Sequence, residues 1–123
     1  MNIRLTAEDV FDLSSKIELA VCGNTKGEVF FRKHSFNAKL PVSPGPEFES
    51  LLYFLDETFA EASKRLIPLL GKTRYVLISY ERWFELFVME EDLYLMAAFS
   101  TDTNIQVMQE LSTKMHELLL KAL

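Results

Sequence analysis

Residues 73–99 read TRYVLISYERWFELFVMEEDLYLMAAF. Three apolar runs, 73–80, 83–89 and 93–99, are separated by two short polar breaks, Glu81-Arg82 and Glu90-Glu91-Asp92. Each run has strand length and is rich in aromatic and β-branched residues, which predicts a three-stranded antiparallel meander. Its apolar residues fall on both faces. A sheet that is oily on both sides must be covered on both sides, so the rest of the chain has to supply two covering layers.

The flanking segments supply them. Thr6-Ala7-Glu8-Asp9 has the form of a capping box and opens a short helix to about Ser14, with Val10, Phe11 and Leu13 as its buried side. Residues 16–22 alternate Ile17, Leu19 and Val21 with Lys16, Glu18 and Ala20, the period of a strand. Gly23-Asn24-Thr25-Lys26-Gly27 is a loop that tolerates positive φ, and residues 28–33 return as a second strand. Residues 34–46, with Pro41, Pro44 and Pro46, form a loop. From Glu47 the period becomes helical: Phe48, Leu51, Leu52, Leu55, Phe59, Ala62 and Leu66 make one apolar stripe, with Glu49, Asp56, Glu57, Glu61 and Lys64 off it. Pro46 suits the first turn, and Pro68 and Gly71 end the helix. Thr103 with Gln106 forms a second capping box for a last helix, whose stripe is Val107 or Met108, Leu111, Met115, Leu118 and Leu119.

The order is therefore α-β-β-α-β-β-β-α, an α+β single domain over 1–123 with a five-stranded antiparallel sheet. The long central helix is expected on one face and the terminal helices on the other. With 49% apolar and 25% charged residues, the composition is that of an ordinary globular chain. A net charge of −5 gives no generic attraction to phosphate backbones, so nucleic acid is not expected as a partner. The lone Cys22 excludes an intrachain disulfide framework. The first residues carry early Asp and Glu and no long apolar core, unlike a signal peptide, and no apolar run approaches the roughly 18 residues of a membrane span. A cytoplasmic protein without membrane contact is expected.

Candidate chemistry is weak throughout. Gly71-Lys72-Thr73 resembles the end of a phosphate-binding loop, but Leu66 stands where its first glycine belongs, and the triplet follows a helix. Cys22 and His34 lie on or near the first hairpin, yet no third group orients them, and a buried structural cysteine is the simpler reading. His116 is a lone histidine, too few for zinc. Glu90, Glu91 and Asp92 read as a solvated turn, and Glu81 with Glu85 as solvent-facing carboxylates on a hairpin. No catalytic residue, metal or cofactor is expected. Tyr80 and Trp83 flank a tight turn and are the aromatics most suited to a partner surface.

The element order, together with the opening EDVFDL helix, the IELAVCGNTKGEVFF hairpin, the meander and the closing amphipathic helix, resembles the roadblock/LC7 superfamily, whose fold is related to profilin and longin domains. It looks closest to small archaeal proteins of roadblock-like architecture. The likeness covers nearly the whole chain and departs from it in the loop 34–46. The resemblance implies a non-enzymatic module that pairs two copies edge to edge through the third strand, with the central helices side by side, and that serves small Ras-like GTPases as scaffold or regulator.

The third strand, RYVLISY over 74–80, gives independent support. It carries no proline or lysine and one charge, Arg74, so as a sheet edge it is unguarded. A homodimer centred on Tyr75, Val76, Leu77 and Ile78 is expected. The alternative is a profilin-like sensor holding a small apolar molecule between sheet and central helix, with 34–46 as its lid.

Overall fold

The structure, a computed structural model, describes residues 3–35, 46–100 and 102–123. Most of the loop predicted over 34–46 lies outside these residues, as do the side chains at 46–49, Phe48 included. The elements are α1 (Ala7–Phe11), β1 (Ile17–Asn24), β2 (Val29–His34), α2 (Pro46–Leu70), β3 (Val76–Ser79), β4 (Trp83–Glu90), β5 (Leu93–Ser100) and α3 (Ile105–Ala122). Their order is the predicted one. The strands form one antiparallel sheet in the order β2-β1-β5-β4-β3, which leaves β2 and β3 at the edges.

Local chemistry sets the element ends. Thr6 caps α1: its hydroxyl accepts from the Asp9 N–H at 3.3 Å, and the Asp9 carboxylate accepts from the Thr6 N–H at 2.9 Å. The helix stops at Phe11 rather than near Ser14. The cap of α3 is Asn104, one residue later than expected, with Oδ1 accepting from the Val107 N–H at 2.9 Å. Thr103 is instead buried, which removes its hydroxyl from the cap. Pro68 does not end α2; it sits in the last turn, where the exposed Lys64 carbonyl region can use solvent in place of the missing N–H. Gly71 does the stopping, at φ +81°, with its N–H donating to the Ile67 carbonyl at 2.9 Å.

The sheet is covered on both faces. One face packs Ile17, Ala20, Cys22, Leu86, Val88, Leu95, Ala97 and Phe99 against Leu5 and Val10 near α1 and Met108, Leu111, Met115 and Leu119 of α3. The other face packs Leu19, Val21, Phe87, Met89, Tyr94, Met96 and Ala98 against Leu52 and Ala60 of α2. All eight residues of β1 are buried, so its alternation sorts side chains between two cores rather than between core and solvent. An irregularity between Ile17 and Leu19 switches parity there, which is why Ile17 joins Ala20 and Cys22.

The prediction for α2 needs a correction. Its sheet-facing residues are Leu52, Asp56, Ala60 and Ser63, all buried. Of the predicted stripe, Leu51, Ala62 and Leu66 are exposed, and Leu55 and Phe59 are half-buried. The helix is turned by roughly a quarter turn from the orientation its stripe implies, at 100° per residue. The reason lies in the sheet: large side chains such as Phe87 and Tyr94 already fill this face, stacked with ring centroids 5.5 Å apart, so α2 approaches with a side that is small except for Leu52 and Asp56.

Gly23 tests this packing. A Cβ there would lie 2.5 Å from Tyr94 Oη and 2.6 Å from the Glu28 carbonyl oxygen, and Tyr94 is fully buried. Gly23→Ala should cost about 1–3 kcal/mol, read as a lowered urea midpoint with an unchanged m-value.

Candidate functional site

β3 is one of the two edge strands. It pairs with β4 alone, Val76 opposite Phe87 through Ser79 opposite Phe84. Tyr75 and Leu77 pack towards the α3 side and Val76 towards the α2 side, while the half-buried Ile78 belongs to neither core. The entry to the strand is fastened from α3. Gln109 Nε2 donates to Tyr75 Oη at 3.1 Å, and His116 Nε2 donates to the Arg74 carbonyl. The other side chain of this clasp is Glu90, whose Oε1 lies 3.4 Å from His116 Nδ1 and whose Oε2 lies 3.5 Å from Lys72 Nζ.

α2 carries several large exposed apolar residues. Leu51 is 59% exposed, Phe54 65%, Leu69 81% and Leu70 76%, with Leu66 and Ile67 also open. Single exposed apolar residues need no account, but a row along one helix does. Between the first half of α2 and the β3–β4 turn lies a groove of about 410 Å³, walled by Leu51, Leu52, Leu55, Tyr80, Arg82 and Trp83. Tyr80 and Trp83 meet edge to face, with centroids 6.1 Å apart. Tyr80 is 39% exposed and Trp83 half-buried, so both reach this groove.

The expectation for Glu85 is overturned. Glu81 is exposed, but Glu85 is 1% exposed and sits on the α2 face of β4 between Trp83 and Phe87. The reason is strand alternation: placing Phe87 and Met89 on that face places Glu85 there too. It meets Asp56 of α2, which is 0% exposed. No N–H or O–H group among the described residues donates to either carboxyl, so the hydrogen bond open to them is that of a proton held between the two. Burial first, and Glu85 second, push Asp56 up to about 9; burial raises Glu85 as well. Tyr80 is raised too, by burial and then by Glu85 and Asp56. Sequence reasoning missed this pair because both residues look like members of polar faces.

The remaining motifs stay apart. Cys22 is opposite Phe31 and His34 opposite Leu19, so thiol and imidazole do not meet in the register. Glu91 and Asp92 form the two-residue turn between β4 and β5, with Glu91 at φ 52°. Asp92 is held by Lys64 at 2.7 Å and Thr25 at 3.2 Å, and the lysine lowers its carboxyl below the usual range. Glu90 departs from the solvated turn expected of it, being buried against His116 and Lys72. Gly71-Lys72-Thr73 leads from helix to strand. Among the described residues, no cluster of three or more His, Cys, Asp or Glu is placed to hold a metal, and no helix is long and apolar enough to cross a membrane.

Solved structures share this fold. Gliding protein MglB of Thermus thermophilus superposes with a TM-score of 0.69 at 19% identity, covering 94% of this chain and 83% of that one. A second MglB structure, in a tetrameric arrangement, gives 0.64 at 20% identity over 94% and 86%. A roadblock/LC7 domain from Streptomyces avermitilis gives 0.63 at 11% identity over 94% and 98%. Schizosaccharomyces pombe profilin gives 0.57 at 13% identity over 92% of each chain. No protein-family model and no curated protein matches the sequence. At these identities the likeness establishes the fold.

Burial makes one motif testable. Cys22 is fully buried, and burial pushes its thiol up to about 12. At pH 8 a thiol reagent such as Ellman's should therefore label it only as fast as the protein opens, and at once in denaturant.

Proposed function

We propose, on the premise of a roadblock/LC7-like fold, that this protein is a non-enzymatic interaction module that pairs with a second copy of itself. The observation that carries this is the orientation of α2. Its sheet-facing side is half polar, and Leu51, Phe54, Leu66 and Leu69 face out. A helix that leaves large apolar side chains open beside a partly polar core side finds further burial on another molecule. The β3 edge supports the same reading, since an unguarded strand is a template for a partner strand. Pairing through β3 would place Tyr75, Val76, Leu77 and Ile78 at the centre of a continuous sheet, and the outer sides of the two α2 helices alongside. The tetrameric MglB arrangement is a precedent for self-association on this fold.

The resemblance names a small Ras-like GTPase as the class of further partner, met in the cytoplasm. That contact is assigned to Tyr80 and Trp83, supported by their edge-to-face pairing at the partly exposed turn after β3. A second reading has one observation in its favour: a groove of about 410 Å³ with apolar walls is within the size range of small-molecule sites. There the protein would act as a sensor of profilin-like architecture.

Self-association is tested by light scattering and sedimentation at micromolar concentration. The wild type should run as a dimer or larger assembly. Phe54→Glu with Leu69→Glu, both at exposed positions, should leave the fold intact and weaken association by about two orders of magnitude or more, since each buried large apolar side chain contributes about 1.5–3 kcal/mol. Ile78→Lys should do the same through the edge. A monomeric wild type would refute the reading. Recovery of a small GTPase from native lysate, lost on Trp83→Ala, would support the partner class, whereas a small apolar molecule retained in native mass spectrometry would favour the sensor.

A further inference from the structure

We propose that Asp56 and Glu85 form a proton-dependent latch that holds α2 on the sheet, closed while the two carboxyls share a proton and opened when that proton leaves. The geometry is specific. One carboxyl comes from the middle of α2 and the other from β4, and both are out of solvent at 0% and 1% exposure. Neither receives a hydrogen bond from another described residue, so a shared proton is what makes the contact favourable. A second negative charge in this space would face the first with water excluded.

Among the described residues, no basic group shifts either carboxyl. Tyr53 and Glu57 approach from α2, Tyr80 from the end of β3 and Tyr94 from β5, and the neighbouring side chains of β1 on this face are Leu19 and Val21. Arg32 and His34 of β2, opposite Val21 and Leu19, stand on the same sheet face three strands away from Glu85. Tyr94 Oη is itself buried with no hydrogen-bond partner among the described residues. Among the described residues of α2, the buried apolar ones are Leu52 and Ala60, with Tyr53 and Phe59 partly buried against the same core and Phe59 facing Phe87 at 5.9 Å between centroids.

The sign follows from linkage. Unfolded, the two groups titrate near their ordinary values of 3.8 and 4.5; folded, both are raised, Asp56 to about 9. The native pair keeps a proton that the unfolded chain releases, so stability is fullest in acid and falls as pH rises towards about 9. Above that the helix sits on two charges. Because α2 also carries the outward apolar stripe, its release would loosen self-association; that consequence alone rests on the function proposed above.

Three measurements on the full chain decide it. Carbon-13 spectra of the wild-type side-chain carboxyls should show the pair titrating well above the usual carboxylate range; both groups titrating near pH 4 would overturn the latch without any variant. Above pH 9, α2 amides should lose hydrogen-exchange protection relative to α3 amides in the same sample. The isosteric double variant Asp56→Asn, Glu85→Gln should abolish that selective loss, and a double variant that keeps it would overturn the latch. Sedimentation across the same pH range should show the wild type dissociating in alkali and the double variant unaffected. A wild type that is monomeric at every pH would refute self-association, while the spectra and exchange would still decide the latch.

Discussion

A sheet buried on both faces is the constraint on which this molecule depends. β1, β4 and β5 form its middle, and almost every side chain they carry is out of solvent. Such strands cannot use one polar face as a solvent boundary, so each face needs its own apolar layer. Two helices serve one face: α1 is short and contributes mainly Val10, while α3 brings four large apolar residues. Among the described residues, the other face has α2 alone. The fold is thus held by two separate cores that share a backbone, and a change in one is felt across the sheet through β1, β4 and β5.

The two cores are unequal, and the inequality is where function concentrates. α3 is matched to its face, with its buried residues lying along the predicted stripe. α2 is longer, 25 residues or about 37 Å, and meets a face already filled by Phe87, Tyr94 and Met96. It docks with its narrower side. Three features arise from this one arrangement: a carboxyl pair carried inside, an apolar row left outside, and a groove where the first half of the helix stands off from the β3–β4 turn. The β3 edge runs beside them. The exposed apolar residues and the buried Asp56 are therefore on the same helix.

Much of this is legible in the residues. Element order, the meander, the Thr6 capping box, the two-sided burial of the sheet and the edge position of β3 all follow from local pattern and short-range chemistry. The spacing of Thr103 and Gln106 puts the α3 cap one residue early because several adjacent side chains can cap, and burial of Thr103 decides among them. Pro68 looks like a stop because proline breaks helix interiors, yet in a last turn open to water its cost is small. The larger miss concerns α2. Periodicity finds an apolar stripe and assigns all of it to the chain's own core, whereas Leu52 is buried there, Leu55 and Phe59 are half-buried, and Leu51, Ala62 and Leu66 are exposed. Asp56 and Glu85 are hidden for the same reason, each being a charged residue on a segment whose buried side is set by its neighbours.

By itself the sequence determined the elements, their order and the need for a layer on each side of the sheet, since these depend on backbone preference and on the spacing of apolar residues along the chain. Only the tertiary structure decided the rotation of α2 about its axis. That rotation depends on the space left between Phe87, Tyr94 and Met96 once the strands are in register, a property of residues far apart in sequence. From it follow the meeting of Asp56 with Glu85 and the outward row from Leu51 to Leu69. Packing volume, rather than hydrophobic pattern, chose which side of the central helix the molecule keeps for itself and which it presents.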